Sequence, residues 1–81
     1  MVMWEKGAIG IKNSKGKMIS IQFLLKHYDE PKEFGINKGK ISELLLKKNG
    51  EIVYCFNNGK EIKPKTPEAE KALAILVAEY N

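Results

Sequence analysis

The run Lys17-Met18-Ile19-Ser20-Ile21-Gln22-Phe23-Leu24-Leu25-Lys26 alternates with period two. Ile19, Ile21, Phe23 and Leu25 fall on one face, with Ser20, Gln22 and Lys26 on the other, the pattern of a half-buried β-strand. Upstream, Asn13-Ser14-Lys15-Gly16 is a turn cluster, so residues 4–12 read as a preceding strand, thinned by Gly7 and Gly10. Downstream, residues 40–48 read as a third strand. There Ile41, Glu43, Leu45 and Lys47 alternate with Ser42, Leu44, Leu46 and Lys48, so neither face is cleanly polar. Asn49-Gly50 is the dipeptide preferred in type I′ hairpins, where both central residues take positive φ. Residues 51–56 then return as a fourth strand, with Ile52, Tyr54 and Phe56 on one face and Val53 and Cys55 on the other. Asn57-Asn58-Gly59 repeats the turn chemistry, leaving Lys60-Glu61-Ile62-Lys63 as a short candidate edge strand.

Pro64-Lys65-Thr66-Pro67 closes the sheet region. Thr66 suits an N-cap, Pro67 suits the first helical position, and Glu68 and Glu70 complement the helix dipole. Ala69, Ala72, Leu73, Leu76, Val77 and Tyr80 then recur on one helical stripe. The expected fold is α+β: a four-stranded antiparallel meander, with a short fifth strand as an option, and one C-terminal helix packed on one face, β-β-β-β-α, in a single domain over residues 1–81. One helix covers one face of such a sheet. The apolar residues that the third and fourth strands offer to the other face therefore call for the long loop or a second copy of the chain.

Between the second and third strands lies His27-Tyr28-Asp29-Glu30-Pro31-Lys32-Glu33-Phe34-Gly35-Ile36-Asn37-Lys38-Gly39-Lys40-Ile41-Ser42. Hairpin links usually take two to five residues. This one is longer and holds two apolar residues, so it reads as an ordered loop, and ordered long loops often carry function. Gly35 and Gly39 are expected to bend it through positive φ, tucking Phe34 and Ile36 against the sheet. Its candidate binding residues are His27, Asp29, Glu30, Phe34, Ile36, Lys38 and Lys40.

Composition narrows the function classes. The chain has 81 residues, 43% of them hydrophobic and 30% charged, as in ordinary globular proteins. No apolar run approaches the roughly 18 residues of a membrane span, and Met1-Val2-Met3-Trp4-Glu5 lacks the basic-then-apolar order of a signal peptide. A lone cysteine, Cys55, forms no internal disulfide and reads as a small buried strand residue, so a cytoplasmic location is expected. All fourteen basic residues are lysine. Without arginine's bidentate fork, sequence-specific nucleic-acid reading is disfavoured. Residues 1–65 carry +6 and residues 66–81 carry −2.

No catalytic or metal set emerges. His27, Asp29, Glu30 and Glu33 lack the spacing of zinc or calcium sites, and nothing around His27 or Cys55 orients them as a nucleophile pair. Gly35 and Gly39 match neither a dinucleotide fingerprint nor a P-loop. No cofactor is therefore expected. Trp4, Phe34 and Phe56 are expected in the core, whereas a single-strand nucleic-acid binder would expose two or three aromatics on a basic sheet face.

Trp4, Gly7 and Ile9, followed by His27-Tyr28-Asp29-Glu30-Pro31 and the segment from Glu33 through Phe34-Gly35-Ile36 to Gly39-Lys40-Ile41-Ser42, resemble a small uncharacterised family carried by phages and prophages of low-GC Gram-positive bacteria. The resemblance covers nearly the whole chain. Lys32 and Lys40 stand where that family usually has serine and arginine, and Phe56-Asn57-Asn58-Gly59-Lys60 replaces its Tyr-Asp-Arg-Gly-Trp element. What the resemblance implies is a fold and a phage setting, without a mechanism. Taken together, the residues point to a non-enzymatic protein-interaction module with no membrane, and the resemblance implies a host or phage protein as its partner. Weak, non-specific binding of single-stranded nucleic acid through a lysine-rich sheet face is the alternative, and a homodimer joined at strand edges is compatible with either.

Overall fold

The computed structural model describes residues 1–81. Five strands, β1 (Val2–Lys12), β2 (Met18–Tyr28), β3 (Ile41–Lys48), β4 (Glu51–Asn57) and β5 (Lys60–Ile62), precede one helix, α1 (Pro67–Tyr80). The strands form one antiparallel sheet in sequence order. The α+β meander with a C-terminal helix is thus the observed fold, and the short fifth strand is present. Asn49 and Gly50 both take positive φ, 52° and 81°, as the type I′ hairpin requires.

The helix starts where the capping residues place it. Thr66 Oγ1 accepts a hydrogen bond from the Ala69 amide at 3.1 Å, and Pro67 opens the first turn. Ala69, Ala72 and Leu76 are buried against the sheet, flanked by Leu73, Val77 and Tyr80. The small alanines let the helix axis approach the strands closely. From β1, Ile9 and Ile11 face α1; from β2, Ile21 and Leu25; from β3, Leu44 and Leu46; and from β4, Tyr54 and Phe56. Gly7 lies opposite Phe23, and its missing Cβ leaves room for the phenyl ring.

Two irregularities depart from simple alternation. Lys26 pairs with Glu43 but His27 pairs with Ile41, so Ser42 is the extra residue of a β-bulge. The bulge turns Ile41 to the helix side, where it is buried, rather than to the face of Glu43 and Leu45. In the same way Leu46 pairs with Tyr54 and Lys47 with Ile52, which makes Val53 the extra residue on β4. Ile52 therefore sits on the outer face, away from Tyr54 and Phe56, while Val53 is buried. The Lys65 amide donates to the Val53 carbonyl at 2.9 Å, tying the approach to α1 to this bulge.

Two expected core aromatics are not core. Phe56 is buried, but Trp4 is 54% exposed because its register on β1 points it to the face that α1 does not cover. Phe34 is 39% exposed and meets the Tyr28 ring edge-on, with centroids 6.0 Å apart.

Candidate functional site

Residues 29–40 fold back on themselves at one end of the sheet. The Lys32 amide donates to the Gly39 carbonyl at 2.9 Å, the Gly35 amide to the Lys32 carbonyl at 3.0 Å, and the Gly39 amide to the Ile36 carbonyl at 2.8 Å. The positive φ values lie at Asn37 and Lys38, 52° and 56°, and not at the two glycines. Gly35 and Gly39 have φ of −79° and −101°. They are required for space instead. A Cβ on Gly35 would strike the Gly39 carbonyl, and one on Gly39 would strike the side chain of Asn81. That amide is a clasp: Asn81 Nδ2 donates to the Ile36 carbonyl at 2.8 Å, and its Oδ1 accepts from the Ile41 amide at 3.0 Å.

The loop residues singled out in the sequence do not converge. Ile36 is only 5% exposed and belongs to the core. The side chain of His27 turns inward, with Nε2 3.2 Å from Glu5 Oε2 and its ring 5.1 Å from that of Tyr80. Cys55 faces the opposite side of the sheet, half-buried rather than fully buried, so the structure does not pair it with His27. Asp29 meets the Met1 ammonium at 3.2 Å, and that hydrogen bond and charge hold its carboxyl below the usual range. Glu30 and Lys38 are exposed at the loop surface, and Lys40 is half-buried with its carbonyl accepting from the Tyr28 amide at 2.9 Å. Phe34 alone carries an exposed apolar surface.

What the structure assembles is the outer face of the sheet. The register aligns Lys6, Leu24, Leu45, Cys55 and Ile62 in one row across all five strands. Beside it runs Trp4, Lys26, Glu43, Asn57 and Lys60, and on the other side Ala8, Gln22, Lys47 and Ile52. Trp4, Leu24, Glu43, Leu45, Cys55 and Asn57 line a shallow depression. Trp4, Tyr28 and Phe34 continue it towards residues 29–40. Lys26 Nζ lies 5.7 Å from the Trp4 ring centroid and 5.8 Å from that of Tyr28, and Lys32 Nζ lies 5.0 Å from the Tyr28 ring. Cation–π attraction holds these ammonium groups on the aromatic faces.

Charge divides with the faces. Among sheet residues, Lys6, Lys12, Lys26, Lys47 and Lys60 point outward against Glu43 alone. On the helix side, Glu5, Glu51 and Glu61 join Glu68, Glu70 and Glu79, with Lys48 and Lys71 the basic residues. Lys48 there is bound to Glu68 at 3.3 Å. The outer face thus carries about +4 and the helix side about −4 by formal charge, a segregation that the modest net +4 conceals. Sequence reasoning missed Trp4, Leu24, Leu45, Lys6 and Lys47 as a group. The available signal was Leu24, an apolar residue in the middle of the polar side of the β2 alternation.

These features define a class: a small α+β protein whose single helix leaves one basic, partly apolar sheet face uncovered. The chain belongs to a family described as a domain of unknown function, DUF7678, whose model matches residues 3–81. No curated protein and no solved structure shows significant similarity to it.

Proposed function

We propose that this chain is a non-enzymatic interaction protein of a phage or prophage, acting in the cytoplasm by holding a host or phage protein on the outer face of its sheet. The observation that carries this reading is the apolar row of Leu24, Leu45, Cys55 and Ile62, which neither α1 nor residues 29–40 cover. Leu24 is 39% and Ile62 54% exposed, and contiguous exposed apolar surface rimmed by polar groups marks binding sites in soluble proteins. The likeness of Phe34-Gly35-Ile36 through Ile41-Ser42 to a phage-borne family supports the setting. A photoreactive residue at Gln22, on the outer face, tests the reading in expressing cells. Discrete protein adducts should form and should vanish with Leu24→Glu/Leu45→Glu. Unchanged adducts in that folded variant would sink the proposal.

A second reading, non-specific binding of single nucleic-acid strands, draws on the five outward lysines. It predicts a mobility shift of an oligothymidylate that fades steeply with salt. The absence of any shift at low salt removes it.

A further inference from the structure

We infer that the occupant of the outer face is an acidic amphipathic helix of a partner protein, laid across the strands along Leu24, Leu45, Cys55 and Ile62. The inference rests on the interaction reading above and names the partner's chemistry. These four side chains stand side by side on β2, β3, β4 and β5. With strands about 4.8 Å apart the row is roughly 14 Å long, a length matched by about nine or ten helical residues. Side chains two positions away along a strand sit about 6–7 Å to either side. Those positions hold Lys26, Glu43, Asn57 and Lys60 on one flank and Gln22, Lys47 and Ile52 on the other, with Lys6 closing the β1 end, so lysines outnumber the single glutamate around the row. Lys26 is engaged by Glu43 at 3.4 Å, whereas Lys6, Lys47 and Lys60 make no ion pair. A helix about 10–12 Å wide that sets its apolar stripe on the row brings its flanking positions over these lysines. Acidic residues there meet complementary charge.

The other occupants fit the same surface less well. A second copy placed face to face would set five lysines against five, with one glutamate on each side to relieve them. A nucleic-acid strand binds by stacking bases on aromatic faces, but the centre of this row is aliphatic. The rings at its end, Trp4 and Tyr28, already carry the chain's own ammonium groups.

Fluorescence anisotropy on the full chain at low salt decides between them, using three labelled probes. These are a helix-forming peptide with a leucine stripe flanked by glutamates, the same stripe flanked by lysines, and an oligothymidylate. The glutamate-flanked peptide should bind with a Kd of about 10–100 μM and weaken about tenfold or more with Lys6→Glu/Lys47→Glu. Lys6→Gln/Lys47→Gln, which only neutralises the charges, should give an intermediate loss, and unchanged thermal unfolding would show both variants folded. Equal binding of the two peptides overturns the inference, as does binding of the oligothymidylate alone. Self-association abolished by Leu24→Glu, or no binding of any probe up to about millimolar concentration, overturns it as well. None of these outcomes touches the adducts formed from Gln22, whose persistence in Leu24→Glu/Leu45→Glu is what defeats the interaction reading itself.

Discussion

At the scale of single residues, Gly39 and Asn81 form a lock whose parts are coupled. Asn81→Ala removes both hydrogen bonds of the clasp and should destabilise the fold by about 1–3 kcal/mol in denaturant unfolding, since it takes the acceptor from the part-buried Ile41 amide and one of two donors from the Ile36 carbonyl, which keeps the Gly39 amide. Gly39→Ala should cost a comparable amount by driving a methyl into the Asn81 amide. The double variant should lose clearly less than the sum, because the second substitution removes the group that the first one strikes. Strict additivity would show that the contact carries no strain. Tyr54 supplies a pH dependence. Its ring is fully buried and its hydroxyl donates to Glu61 Oε2 at 2.8 Å, so desolvation first, and the glutamate second, push its pKa well above the ordinary 10. A pKa raised by folding means that the neutral phenol is the form the fold favours. Its contribution is therefore complete below about pH 10 and is lost as pH climbs beyond that value. Parent and Tyr54→Phe should differ in the slope of stability against pH above about pH 10, with the parent falling more steeply. Parallel curves would contradict this.

At the scale of elements, the link between β2 and β3 separates a structural residue from a surface one. Ile36→Ala should cost about 2–4 kcal/mol through the cavity it leaves in the core. Phe34→Ala should cost about 1 kcal/mol or less, since its ring is partly solvated and touches Tyr28 at an edge. Thermal unfolding of the two variants checks the order, and a larger loss at Phe34 would reverse the assignment. The element pattern itself was readable in the sequence. Period two in β2, Asn-Gly at the hairpin and Thr-Pro at the helix start each act through local backbone chemistry, which single residues report. The bulges at Ser42 and Val53 were not readable, because a bulge is a mismatch between two strands and leaves no mark on either alone. They are what moved Ile41 inward and Ile52 outward. The roles of Gly35 and Gly39 were hidden for a related reason: the neighbour that excludes a Cβ from Gly39 is 42 positions away at Asn81. The candidate loop residues scatter because their side chains leave different sides of the backbone, while the outer face exists only where five strands align.

At the scale of the whole molecule, the two sheet faces should answer mutation differently. Leu25→Ala, on the covered face, should destabilise by about 2–5 kcal/mol. Leu24→Gln, its neighbour on the outer face, should change stability by less than about 0.5–1 kcal/mol, because that side chain already meets water. Guanidinium titrations of the two variants make the comparison, and a large loss at Leu24 would mean that the outer face is held closed by something else. The charge division between those faces also makes the molecule a dipole. Opposite poles attract front to back, and a front-to-back contact does not close on itself as a two-fold pair does. Concentrated solutions in dilute buffer should therefore show net attraction between molecules, read as a negative second virial coefficient in light scattering. Because the Debye length shrinks to about 8 Å at 0.15 M salt, ordinary ionic strength should screen that attraction and bring the coefficient up towards the value set by excluded volume, so that added salt disperses the protein instead of precipitating it.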